Sequence, residues 1–139
     1  MIWRNGFLIF LVSAISITMV AQTEPSLLSA NIPKYPPLAC QARIEGVVRL
    51  TFTLPANGLQ PTNVEVVSGH PMLKDSAVEN VKTWRFEQNP YAVERNYETT
   101  FKYRLSGIES RGQKRVTVTF DSFREVDLVT DVAPPTVNY

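Results

Sequence analysis

Residue types able to do chemistry are sparse in this chain. Its single histidine, His70, lies in SGHPML (68–73), and its single cysteine, Cys40, lies in PLACQ (37–41). A histidine general base needs a nucleophile and an orienting acid converging on it. A zinc site needs three or four ligands. One imidazole and one thiol do not supply either set. Asp75 and Glu79 stand four residues apart, a spacing that puts both carboxylates on one helix face. With Lys74 and Lys82 nearby, that face reads as solvated rather than as a catalytic pair. The sequence predicts no catalytic, metal or cofactor site, and the chain is expected not to be an enzyme.

The elements that would position these residues follow from hydrophobic period. In GVVRLTFTLPANG (46–58), Val48, Leu50, Phe52 and Leu54 alternate with Val47, Arg49, Thr51 and Thr53, the signature of a half-buried strand. Ala56-Asn57-Gly58 supplies a turn, with asparagine and glycine tolerating positive φ. TNVEVVSG (62–69) predicts a second strand with Val64 and Val66 inward. From Pro71 the period becomes helical: Leu73, Ala77, Val81 and Trp84 form one apolar stripe, and Pro71 suits the first helical position. Phe86 joins Trp84 as expected aromatic core, with Gln88-Asn89-Pro90 closing the element. His70 then reads as the junction between strand and helix. NYETTFKYRL (96–105) alternates again, placing Tyr97, Thr99, Phe101, Tyr103 and Leu105 on one face. KRVTVTF (114–120) and EVDLVTDV (125–132) are two further candidate strands. The order β-β-α-β with a β-rich extension predicts an α+β domain, one main helix covering one face of a small antiparallel sheet.

Upstream, one positive charge (Arg4) precedes the apolar run FLIFLVSAISITMVA (7–21). A basic start followed by such a run describes a secretory signal peptide, and it falls short of the roughly 20 residues a spanning helix needs. Cleavage after Ala21 would release the domain outside the cytoplasm. An uncleaved segment would leave it there tethered by a short signal anchor. Residues 22–33 read as a linker, residues 34–106 as the main domain, and residues 107–139 as an extension ending in a proline-containing tail. Losing Arg4 from the 14 Lys+Arg balances them against the 13 Asp+Glu, so no basic stripe is left to attract nucleic acid. A lone cysteine excludes an intrachain disulfide framework. Cys40 lies too far from the export signal for a lipid-attachment box and reads as a half-buried structural thiol.

The segments YPPLACQARIEGVVRLTFTLPANG, VEVVSGHPMLKDSAVENVKTWRFEQNP and YETTFKYRL resemble the C-terminal domain of TonB-like proteins. The shared pattern runs through Tyr35-Pro36, the Ile-Glu-Gly step ending at Gly46, the hairpin Gly58, and Gly69-His70-Pro71. It continues along the helical stripe Leu73, Ala77, Val81 to Trp84-Arg85-Phe86. The resemblance implies a periplasmic protein-binding module without cofactors, acting in TonB-dependent outer-membrane transport. In that family an extended receptor peptide, the TonB box, is added as a strand beside the domain's third strand. Carried over, the partner-binding residues would be Tyr97, Thr99, Phe101, Tyr103 and Leu105, with Leu38, Cys40 and Gln41 alongside. Cys40 stands where many family members have glutamine.

The sequence departs from a full energy transducer. It has neither a long proline-rich span nor a histidine in the apolar run. It reads as a free-standing exported domain. The extension leaves two readings open. Strand 114–120 could pair with strand 96–105 and fill the edge a TonB box would use, as exposed edges are often blunted. The chain would then be a structural or scaffolding module whose edge is capped, or one that pairs with itself as a homodimer. Otherwise it binds a receptor peptide as the family does.

Overall fold

The computed structural model describes residues 24–107 and 115–132. In chain order they form β1 (Leu27–Ser29), α1 (Pro37–Gln41), β2 (Gly46–Leu54), β3 (Thr62–Ser68) and α2 (Pro71–Lys82). These are followed by β4 (Arg85–Phe86), β5 (Arg95–Ser106), β6 (Val116–Ser122) and β7 (Glu125–Asp131). The main sheet runs β3-β2-β5-β7-β6, and β1 pairs with β4 in a separate ribbon. The apolar run at 7–21 lies outside the described residues. No described helix is long and apolar enough to cross a membrane.

Period-two patterning builds the sheet's inner face. Val48, Leu50, Phe52 and Leu54 of β2 are buried, as are Thr99, Phe101 and Tyr103 of β5 and Val126, Leu128 and Thr130 of β7. Against this face lies the stripe Leu73, Ala77, Val81 and Trp84, all fully buried. The rings interlock: Trp84 stacks on Phe101 at 6.1 Å between centroids and meets Phe52 edge-on at 5.8 Å. Burying a large apolar side chain contributes about 1.5–3 kcal/mol, so this aromatic cluster accounts for much of what holds α2 to the sheet.

The turn from β3 into α2 shows what Gly69 and His70 do. Gly69 has φ +149°, and a Cβ there would stand 2.9 Å from Cγ2 of Val48. Only glycine lets the chain pass so close to β2 in that conformation. His70 is the N-cap of α2: its Nδ1 accepts a hydrogen bond from the Met72 amide at 3.1 Å. Pro71 follows at N1, where no amide donor is needed.

The expected antiparallel sheet is present as β3-β2-β5 with α2 on one face, and the extension makes the whole sheet mixed, because β7 runs parallel to β5 from Thr100↔Glu125 to Ser106↔Asp131. Several finer expectations are corrected. The strand beside β5 is 125–131 and not 114–120, which forms the outer edge. The solvent face distinguishes the two strands: β7 offers Glu125 and Asp127 to Lys102 and Arg104 of β5, where β6 has Thr117 and Thr119. Carried against β5, Val126 and Leu128 bury completely, whereas Val116 on the outer strand stays 45% exposed. Residues 22–33, expected as a linker, contain β1, which pairs Leu27 with Phe86. Val66 is 40% exposed. Expected inward, it pairs with Leu50 but does not join the core, because β3 is an edge strand with register shifts on both sides of that pair.

Candidate partner-binding edge

Backbone direction decides which strands can accept a partner. The Thr100 amide donates to the Arg124 carbonyl at 2.9 Å, and the Ser106 carbonyl accepts from the Val132 amide at 2.9 Å. Main-chain groups alternate in direction along a strand, so Thr100, Lys102, Arg104 and Ser106 all turn theirs toward β7. These are the groups an added peptide would use at β5, and β7 already holds them.

Side chains reinforce the seam on the solvent face. Lys102 Nζ donates to Glu125 Oε1 at 2.7 Å, and the Arg104 guanidinium makes a two-pronged ion pair with Asp127. On the other flank of β5, Arg49 Nη2 meets Glu98 Oε1 at 2.6 Å. The tip of the β6–β7 hairpin is anchored twice. Phe123 is buried against Tyr97 at 5.5 Å and Phe86 at 5.7 Å between centroids. Next to it the Arg124 guanidinium lies 5.1 Å from the centre of the Phe123 ring and pairs with Glu24. Hydrogen bonding to Arg124 holds the Glu24 carboxyl below its usual pKa.

Each residue expected to bind a partner now has a place. Phe101, Tyr103 and Thr99 are buried in the core and offer no side-chain surface. Tyr97 and Leu105 are half-buried. In α1, Leu38 is 65% exposed, Gln41 is exposed and Cys40 is buried. Tyr35 connects this helix to the sheet, its ring edge-on to Tyr103 at 5.3 Å and its hydroxyl donating to the Ile44 carbonyl at 2.5 Å. Burial pushes the Tyr103 hydroxyl up to about 12, with Ser76 acting in the opposite direction. It also raises Tyr35, to which nearby Cys40 and Glu45 add. Among the described residues no group of three His, Cys, Asp or Glu side chains could hold a metal ion.

Sequence reasoning missed three positions. Glu45, in the Ile-Glu-Gly step, accepts the Leu105 amide at 2.5 Å beyond the last β2 partner and so finishes the end of β5. Asn80 is a buried bridge: Trp84 Nε1 donates to its Oδ1 at 2.9 Å, and its Nδ2 donates to the Asn31 carbonyl at 2.7 Å. Phe123 carried the one available signal, a large aromatic at the turn between two strands.

Comparisons with known proteins agree with this architecture. Residues 31–105 match the family model described as "Gram-negative bacterial TonB protein C-terminal". Over 94 residues the chain is 31% identical to a protein of Klebsiella pneumoniae named "Protein TonB", covering 66% of this chain and 37% of that protein. The chain thus spans little more than a third of that relative's length. It also resembles the solution NMR structure of the Pseudomonas aeruginosa TonB CTD, with 28% identity and a TM-score of 0.51, over 66% of this chain and 94% of that one. The matched family segment ends at residue 105, so β6 and β7 lie beyond it.

Proposed function

The chain belongs to the TonB C-terminal domain family, and from that premise we propose that it is a protein-binding module of the cell envelope whose receptor-peptide edge is closed by its own C-terminal hairpin. The family is not an enzyme family, and membership implies a role in TonB-dependent energy transduction at the cell envelope. Export to the periplasm through residues 1–21 is part of the proposal. The observation that carries the reading is the parallel pairing of β7 along β5, the strand to which the family resemblance assigns the added peptide.

Magnitudes favour a closed edge over an open one. Displacing the hairpin would expose Phe123, Val126 and Leu128, all buried. At about 1.5–3 kcal/mol for each side chain the cost is roughly 5–9 kcal/mol. A peptide replaces the lost main-chain bonds but gains only the surplus. Its apparent affinity therefore falls about a thousandfold or more, at tenfold per 1.4 kcal/mol. The domain in this state acts as a scaffold whose contacts lie away from β5.

The test compares TonB-box peptide binding by the full chain and by residues 1–106, with the fold of the shortened chain checked by NMR. Binding restored or strengthened by about a thousandfold on removing the hairpin supports closure. Equal binding by both chains contradicts it. If 1–106 does not fold, the full chain with Glu125→Lys and Asp127→Lys, which turns both ion pairs across the seam into like-charge repulsions, serves in its place.

A further inference from the structure

A sheet whose β5 edge is closed by β7 still has, among the described residues, two outer strands, β3 and β6, and they are not alike. On β3 the register shifts twice against β2, and Asn63 sits at φ 48°. Pro61 stands immediately before the strand. Bulges, positive φ and a flanking proline are the devices that blunt an edge. In contrast, β6 runs in register with β7 from Val116 to Phe120, and its one irregularity comes at the far end, between Phe120 and Ser122.

The exposed main-chain groups of β6 follow from one bond. The Asp131 amide donates to the Arg115 carbonyl at 3.0 Å, so Arg115, Thr117 and Thr119 turn their main-chain groups toward β7. By alternation, Val116, Val118 and Phe120 turn theirs outward. Among the described residues, nothing pairs with that side.

We infer that a second copy of this chain pairs there, β6 against β6 in antiparallel two-fold register centred on Val118. The inference rests on the closed edge proposed above, since β7 on β5 is what makes β6 the outermost strand. In that register Val118 faces its own counterpart and Val116 faces Phe120, each from the set whose main-chain groups point outward. On the opposite face Thr117 meets Thr119, and beyond them Arg115 comes level with Asp121, the residue at the strand's irregularity, once on each side of the axis. Arg115 and Asp121 are both exposed, and neither has an ion-pair partner among the described residues. Shifting the axis by one residue in either direction removes the Arg115–Asp121 match, so charge selects this register. The new pairs extend the solvent-face row already made by Arg49–Glu98, Lys102–Glu125 and Arg104–Asp127. Val116, 45% exposed in the single copy, is covered by the partner's Phe120.

Analytical ultracentrifugation of the full chain, without peptide and over a wide concentration range, tests this. A reversible monomer–dimer equilibrium is expected. Arg115→Asp and Asp121→Arg each weaken it about tenfold, because like charges directly opposite destabilise a strand pair and each occurs twice. The double exchange of Arg115→Asp with Asp121→Arg restores it. Val118→Pro removes an outward amide at the axis without taking a hydrogen bond from β7, and it abolishes the dimer. Should that variant not fold, the charge series still decides. A chain monomeric at every concentration overturns the inference. So does association indifferent to these substitutions, as contact through residues 7–21 would give, or an edge that binds a TonB-box peptide instead of a second copy. Failure here with hairpin-dependent peptide binding intact would leave the closed β5 edge standing.

Discussion

Arg104 reaches diagonally across a parallel strand seam to grip both carboxylate oxygens of Asp127. Lys102 makes the same diagonal step to Glu125. Parallel neighbours without a helical crossover between them are uncommon, because parallel strands need a long connection. Here the arrangement arises because β6 and β7 form a tight hairpin whose second strand takes the inner place. The repeated diagonal fixes the register of that hairpin on β5, where a slip of one residue would turn Val126 and Leu128 out to solvent.

Reversing one charge should loosen the seam. Asp127→Arg places like charges together, and the Val126, Leu128 and Thr130 amides, which face β5, are expected to exchange with solvent several-fold faster while α2 amides keep their protection. Adding Arg104→Asp should restore slow exchange. Hydrogen exchange followed residue by residue checks both.

The sole histidine is a cap, and its loss should cost the value of a cap. His70→Ala removes the acceptor for the Met72 amide and should destabilise the domain by about 1 kcal/mol in urea unfolding. His70→Asn, with a side-chain oxygen able to accept the same bond, should recover most of it. A His70 that did not cap α2 would show no such recovery.

Asn80 should be more sensitive than its polarity suggests. Asn80→Ala leaves the buried Trp84 indole N–H and the Asn31 carbonyl without their partner, at a cost of about 1–3 kcal/mol for the stranded donor. Chemical denaturation gives the loss, and tryptophan fluorescence reports a changed Trp84 environment before the global transition.

Alkaline pH probes the buried tyrosine. Tyr103 is raised from its usual 10.0 to about 12 by burial, so the folded state keeps the proton after the unfolded chain has released it. Its contribution is complete below pH 10 and is lost as pH rises toward 12. Tyr103→Phe should flatten that decline in a series of unfolding curves between pH 9 and 12. An unchanged decline would assign it to other groups.

Much of the fold is legible in the sequence because hydrophobic period is a local property. The β2 alternation and the Leu73–Trp84 stripe reproduce the observed burial residue by residue, and the β5 alternation does so at Thr99, Phe101 and Tyr103. Gly69-His70-Pro71 marks the α2 boundary because each residue solves a local backbone problem. What was hidden is non-local. Nothing in 125–131 by itself says that it, rather than 114–120, lies against β5, since the choice depends on which strand of the hairpin completes the core. The short β1–β4 ribbon carries too few residues for a periodic signal. The residues assigned to partner binding were placed by family resemblance, and the edge they lie on is occupied by a segment beyond the family match.

The most direct measurement is amide exchange at Thr100, Lys102 and Arg104 in the isotope-labelled full chain, with and without excess TonB-box peptide. A closed β5 edge predicts strong protection at all three amides and no change in their shifts or exchange on adding peptide. Rapid exchange in the free chain, or peptide-induced shifts concentrated at these three residues, would show an open edge and contradict the account.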